Sequence, residues 1–456
     1  MELHWKNSFI ITPDKNMQYP NLLRRSIFVI PPDESKKDQG TGTYLLYAPL
    51  TGYVMKTDAE YPARLENVIE NNQGDEDLFT HLNYLSDTSL YGKHIYRIQH
   101  PDEYLRLSIL PNYSCNFSCS YCFSAQGRSN KELSMEQLKT TLDYFVDEKR
   151  IKEKRLFINF LGGGEPTLSW KLLKFGIEYS HSLAKKQGIH LITEIVTNGS
   201  ILNEEMLQTF ITYQVQFRVS FEILEEIQRK QRGQYNKVCK TIDRLSEAGL
   251  YIEIRAMITP LNVELMVKMV QELIRRFPGV NCYMFDPVTD KHTFHDIEKT
   301  KMFYKRYLEL FFDALDLAQQ KGKQLKCAPL RNLNSIVKRY CFGELCLTPE
   351  GTFTICHRIS SPQDTHYHNC IYGEVNKAGR LTFDYDKYQQ LINTDTTDDY
   401  PECNACFVKW NCGGGCMVQN REYDKSVRNI ICDFTRTFSK ELILRKLGVN
   451  NTCNIE

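Results

Sequence analysis

Eleven of the sixteen cysteines in this 456-residue chain fall into two arrays, and clustered thiolates serve metal ligation or redox chemistry. The first array is Cys115-x3-Cys119-x2-Cys122, set in Asn112-Tyr113-Ser114-Cys115-Asn116-Phe117-Ser118-Cys119-Ser120-Tyr121-Cys122. Three thiolates this close hold three corners of a cubane cluster and leave the fourth iron open to bind a ligand and react. Incidental thiols give such a triple in roughly 2% of chains of this composition. A zinc ion with a distant fourth ligand fits the same spacing. The second array runs Cys341-x4-Cys346, Gly351-x4-Cys356, Cys403-x2-Cys406-x5-Cys412-x3-Cys416 and Cys432. Its central four cysteines arise by chance in roughly one chain in a thousand, which leaves structural zinc or iron-sulfur ligation. Cys239, Cys282, Cys327, Cys370 and Cys453 have no ligand-like spacing and read as structural or incidental thiols.

The elements that must position these residues are legible between Tyr104 and Gln320. Short apolar runs alternate there with longer amphipathic ones: Leu105 to Leu110, Leu156 to Leu161, Leu191 to Val196, Val215 to Ser220, Tyr251 to Ile258 and Val280 to Phe285. Between the first two, Ser134 and Gln137 form a capping box ahead of the apolar face Leu138, Leu142, Phe145, Val146. Six β/α units in succession predict an α/β fold, a partial or full β/α barrel with reactive groups on the loops after its strands. The first cysteine array follows strand one. Strand two ends in Gly163-Gly164-Glu165-Pro166, where glycines let backbone approach a ligand and the carboxylate complements an ammonium; a plain Gly-rich turn is the alternative. Thr197-Asn198-Gly199 ends strand three and Ser220-Phe221-Glu222 ends strand four, with Arg232 beyond it.

Residues 1–100 differ in character, with runs Ser26 to Ile30 and Thr43 to Tyr47 and a helical stretch around Arg64 to Asn71, and predict a small α+β domain. Residues 101–325 are the barrel, and 326–456 a cysteine-rich domain with little helical periodicity, organised by metal. Lys plus Arg is 57 against Asp plus Glu 56, so no overall field gathers nucleic acid or a membrane surface. No apolar run spans a bilayer and Met1 to Tyr19 lacks a signal-peptide pattern, which predicts a cytoplasmic, reducing location where disulfides are rare.

The three cysteines with Gly163-Gly164-Glu165-Pro166, Thr197-Asn198-Gly199 and the strand-four segment resemble the radical S-adenosylmethionine (SAM) superfamily, and the second array resembles its SPASM domain. The resemblance implies a partial (β/α)6 barrel binding SAM on a [4Fe-4S] cluster at Cys115, Cys119 and Cys122. Tyr121 would lie by the adenine, Gly163, Gly164 and Glu165 by the SAM amino group, and Ser220 and Arg232 by the ribose and carboxylate. Asn198 is a SAM contact or a turn residue. Relatives often carry Asp-Gly where this chain has Glu222-Ile223. SPASM likeness implies two auxiliary [4Fe-4S] clusters, one on Cys341, Cys346, Cys356 and Cys416, the other on Cys403, Cys406, Cys412 and Cys432. Cys346 is either a ligand or a buried thiol of the strand Leu345 to Thr348, and without it the first auxiliary cluster gains an open position.

By the same resemblance the enzyme cleaves SAM reductively to a 5′-deoxyadenosyl radical and oxidatively modifies a ribosomally made peptide, with a flavodoxin or ferredoxin as reductant. Residues Thr43 to Val54 and the helix after them are similar in placement to domains that bind a precursor's leader peptide by strand addition; a packing extension of the barrel is the other reading. Sulfatase-maturing relatives oxidise a protein Cys or Ser to formylglycine with an Asp as base after the Gly-x4-Cys cysteine. His357 stands there, either as an alternative base or as a polar neighbour of the cluster. A small-molecule substrate remains a further alternative, as does a zinc-binding module without enzymatic activity.

Overall fold

The computed structural model describes residues 18–32, 43–91, 98–150, 152–289, 293–294, 296–376 and 378–449; most of Met1 to Tyr19, and Cys453, fall outside them. Strands β1 (Phe28–Ile30), β2 (Tyr44–Ala48) and β3 (Tyr53–Thr57) form an antiparallel sheet, followed by α1 (Glu60–Asn71) and α2 (Glu76–Ser86). Alternation along a strand sends neighbours to opposite faces, and both faces of this sheet are buried. Val29, Leu46 and Ala48 pack with Leu65, Val68, Leu78 and Leu82 of the two helices, whereas Phe28, Ile30, Leu45, Tyr47 and Val54 join the main core. Tyr47 donates to Asn411 Oδ1 at 2.9 Å, and Trp410 Nε1 to Ser26 Oγ at 2.9 Å. The N-terminal unit is therefore seated on the cysteine-rich region.

Strands β4 (Arg106–Ile109), β5 (Arg155–Phe160), β6 (His190–Thr197), β7 (Gln216–Ser220), β8 (Ile252–Ile258), β9 (Cys282–Pro287) and β10 (Gln324–Lys326) lie in that order and all parallel. The first six match the strands read from sequence, each shifted by a residue or two; β10 is a seventh that three residues alone did not betray. Near-continuous burial, as in Cys282 to Phe285, reflects a sheet covered on both sides. Helix α3 (Met135–Phe145) begins at the capping box: Gln137 N donates to Ser134 Oγ at 3.1 Å and Ser134 N to Gln137 Oε1 at 3.3 Å. Leu138, Leu142, Phe145 and Val146 are fully buried beneath it, each contributing about 1.5–3 kcal/mol.

The cysteine-rich region is not an appended module. Its first strand, β11 (Leu345–Leu347), pairs in parallel with β4, Cys346 opposite Ser108, and β12 (Thr352–Thr354), β13 (Ile371–Val375) and β14 (Leu381–Phe383) continue the same sheet antiparallel. The expectation of little helical periodicity there is corrected by a 25-residue helix, Lys425–Val449. Val427, Ile430, Phe434, Phe438, Leu442 and Ile443 recur at helical spacing and bury against the barrel's outer helix α4 (Ile297–Gln320). Phe434 lies 4.9 Å from Tyr304 and Phe438 4.9 Å from Phe312, ring centre to ring centre. Numbered in chain order, Lys425–Val449 is α5, and it carries Cys432.

Candidate metal and cofactor centre

The loop from Asn112 to Cys122 is held at both ends and at its middle. Tyr113 N donates to Lys131 O at 3.1 Å, Ser120 N to Gln231 O at 3.0 Å, and Glu165 N to Ser114 O at 2.7 Å. Asn112 Nδ2 donates to Ser169 Oγ at 2.6 Å and to Glu165 O at 3.1 Å. The approach of the β5 loop explains Gly164: a Cβ there would lie 1.9 Å from Ser114 O. Glycine is required by the contact between two backbones.

Glu165 is 2% exposed, and its carboxylate accepts from Thr197 Oγ1 at 2.6 Å, Thr167 Oγ1 at 2.7 Å, Asn198 N at 2.7 Å and Thr167 N at 3.2 Å. Burial pushes its pKa up, against those four donors. The side chain thus clamps the β5 loop to the end of β6. Asn198 acts as a turn residue and also faces the first cysteine loop. Its Oδ1 accepts from Ser200 N at 2.9 Å as a turn residue, while Nδ2 reaches Asn116 Oδ1 at 2.9 Å and Cys115 Sγ at 3.9 Å.

Tyr121, Glu222 and Arg232 form one network. Arg232 Nη1 donates to Tyr121 Oη at 2.8 Å, Tyr121 donates to Glu222 Oε1, and Glu222 Oε2 accepts from Met257 N at 3.2 Å. Burial pushes Glu222 up to about 7, with Arg232 acting in the opposite direction. Next to it, fully buried Ile223 sits at φ 68°, a left-handed conformation costly for a β-branched residue. That strain falls where the resembling family often has glycine. Ser220 ends β7 opposite Arg255 in register, and Arg255 Nη2 pairs with Asp286 Oδ2 at 2.6 Å.

All described cysteines are free. They fall into electrostatic neighbourhoods: Cys119 with Cys115 and Cys122; Cys341 with Cys416, and Cys356 with both; Cys346 with Cys356; Cys412 with Cys403, Cys406 and Cys432. Among the described residues no three His, Cys, Asp or Glu side chains are close enough to share one ion. Burial also pushes Cys403 up to about 12 and Cys432 up to about 11.

Between the first array and the second lies a pair that sequence did not suggest. His357 Nδ1 is 2.6 Å from Glu344 Oε1, and its ring meets Phe123, the neighbour of Cys122, edge to face at 5.9 Å. Burial raises the Glu344 carboxyl, but His357 and Ser108 bring it below its ordinary value overall. Also unforeseen are three arginines on cysteine sulfurs: Arg128 on Cys122 at 3.6 Å, Arg339 on Cys341 at 3.1 Å and Arg436 on Cys406 at 4.0 Å. Sequence separation gave no common signal for them. Arg436 alone lies one helical turn from a cysteine, Cys432, and it touches a different one.

Residues 109–274 match the family model "Radical SAM superfamily". A cysteine-type anaerobic sulfatase-maturating enzyme of Clostridium novyi (strain NT) is 25% identical over 364 residues, 74% of this chain and 95% of that protein. The subtilosin biosynthesis protein AlbA of Bacillus subtilis (strain 168) is 22% identical over 185 residues, 39% of this chain and 38% of its own length. Among solved structures, anSMEcpe with bound AdoMet superposes with TM-score 0.62 at 16% identity, covering 76% of this chain and 95% of that one. Streptococcus suis SuiB bound to precursor peptide SuiA gives 0.52 at 15%, covering 80% and 84%. At those identities the structures speak for the fold. The family match lies over the strands and loops that carry the first cysteine array, so that part of the chain, residues 109–274, is similar to the radical SAM superfamily.

Proposed function

We propose that the protein is a peptide-modifying oxidoreductase with three [4Fe-4S] clusters, one on Cys115, Cys119 and Cys122 and two auxiliary clusters on the remaining eight array cysteines. When bound, SAM and its cluster supply a radical able to remove a hydrogen atom from an unactivated carbon. The chain's own residues hold the reactants. Gly163 and Gly164 bring backbone close, Arg232 offers a fixed cation, and Tyr121 is oriented by Arg232 and Glu222. His357, its Nδ1 tied to Glu344, keeps Nε2 as the atom that takes a substrate proton, and the pair stands in the place of the Asp expected of sulfatase-maturing relatives.

The observation that carries this reading is the grouping of the thiols into three neighbourhoods with His357 between the first and the second. A peptide substrate is supported by SuiB's bound precursor peptide and by the outer edge of β3, to which no strand is paired among the described residues. A peptide would add there as a strand, backbone to backbone. Formylglycine formation is the second reading, favoured by the match across 95% of the Clostridium novyi maturase. A flavodoxin or ferredoxin is the proposed reductant, and a cytoplasmic location the proposed setting; no helix among the described residues is long and apolar enough to cross a membrane.

The test is iron and sulfide per chain after anaerobic reconstitution, with SAM cleavage assayed in wild type and in Cys115→Ala/Cys119→Ala/Cys122→Ala. The expected result is about twelve irons falling to about eight, with 5′-deoxyadenosine formation abolished. About four irons in wild type, or zinc in the second array, would sink the two auxiliary clusters.

A further inference from the structure

Each cysteine neighbourhood has one guanidinium against one of its sulfurs, but the three arginines differ in what else they touch. Arg339 is 8% exposed. Its Nη1 donates to Cys341 O at 2.6 Å and to Cys341 Sγ at 3.1 Å, Nε to Thr394 O at 3.1 Å, and Nη2 lies 3.6 Å from Met417 Sδ. Apart from the thiol, these partners are neutral. The carboxylate acting on it, Asp395, is bonded by Arg421 at 2.8 Å and by the Tyr400 hydroxyl at 2.8 Å. A cation taken out of water without a directly bonded anion is costly, and among the described residues no carboxylate hydrogen-bonds Arg339, a role that four cluster thiolates would fill.

Arg436 offers the control within the same molecule. It is 7% exposed and faces Cys406 Sγ, but at 4.0 Å, and its Nη2 donates to Asp433. That carboxylate offsets much of the field the guanidinium exerts on the sulfur. A nearby cation, and a hydrogen bond to a ligand sulfur, both favour the more negative reduced state of a cluster and raise its potential.

Resting on the two-cluster reading above, we propose that Arg339 is a tuning residue. It holds the auxiliary cluster of Cys341, Cys346, Cys356 and Cys416 at a higher reduction potential than the cluster of Cys403, Cys406, Cys412 and Cys432. The cluster beside His357 is thereby the easier of the two to reduce.

The experiment is a redox titration of the reconstituted full chain, followed by electron paramagnetic resonance, in wild type, Arg339→Gln, Arg339→Lys and Arg436→Gln, with iron counted in each. Wild type should show two separate auxiliary midpoints. In Arg339→Gln the higher one should fall so that its reduced-to-oxidised ratio drops at least tenfold at a fixed potential, about 59 mV for a one-electron couple. Arg339→Lys should recover part of the shift, and Arg436→Gln should move only the lower midpoint. Full iron with both midpoints unmoved in Arg339→Gln overturns the inference alone. Wild-type iron near four overturns the cluster reading and this inference with it. Should Arg339→Gln fail to load iron, coincident auxiliary midpoints in wild type overturn it.

Discussion

The two cysteine arrays are held by different structural means. Cys115, Cys119 and Cys122 sit within eight residues of one loop, and backbone contacts from Lys131, Gln231 and Glu165 fix that loop. The eight cysteines of the second array span Cys341 to Cys432 and ride on unlike elements: Cys346 in the buried strand β11, Cys412 at the end of a one-turn helix, Cys432 on α5. The first site is a loop that a finished barrel presents. The second is assembled from segments that lie far apart in the chain and are carried by unlike elements.

That contrast is most sharply broken by removing ligands on each side. Cys115→Ala/Cys119→Ala/Cys122→Ala should abolish SAM cleavage yet leave the thermal midpoint within a few degrees of wild type. Cys432→Ala should lower both iron content and the midpoint markedly, since loss of a structural metal is among the few large single-residue effects. Equal midpoints in differential scanning calorimetry would mean that the second array is no more structural than the first. Next in size, His357→Ala should cut turnover of a peptide substrate by about 10²–10⁴-fold while sparing substrate-independent 5′-deoxyadenosine formation, with Glu344→Gln giving a smaller loss in the same assay. A fall in 5′-deoxyadenosine itself would place the pair on the SAM side of the chemistry.

Gly164→Ala sharpens the loop side of the comparison. The clash with Ser114 O should cost about 1–3 kcal/mol and weaken SAM binding, read by urea unfolding and equilibrium dialysis, with the auxiliary irons retained. Smallest is a pH effect. Glu222 has a folded pKa near 7 against an ordinary value of 4.5, so between those values the native state keeps a proton that the unfolded chain releases. Stability attributable to it therefore declines as pH rises across that window. Glu222→Gln should flatten the decline, checked by melting curves from pH 5 to 7.5; an unchanged slope would mean that Arg232 keeps Glu222 ionised throughout.

The six barrel strands were legible because each is a short apolar run bounded by turn residues, and α3 because its capping box is local. Strand β10 was not, for three residues carry no period, and α5 was overlooked because the cysteines around it drew the reading toward irregular structure. Among site residues, the cysteines stood out by spacing, and Tyr121 and the Gly163–Glu165 turn through the resemblance to a known family. Glu344 did not: it lies thirteen positions before His357, and only the pairing of β11 with β12 folds that stretch back on itself. Arg436 was invisible for the same reason, since it reaches Cys406 thirty positions away, whereas Arg339 lies only two positions from Cys341 and lacked any spacing signal that sets it apart from a surface arginine.

The sequence by itself determined the elements whose information is local: strands, caps, and three thiols on one loop. Tertiary structure alone decided which distant side chains share a neighbourhood. It turned the Glu165 carboxylate inward onto Thr167, Thr197 and Asn198, joined β11 to β4, and set a buried arginine against one cluster cysteine and a carboxylate-compensated one against another. Charge and hydrogen-bond energies depend on separation in space and on burial, and neither is a function of distance along the chain.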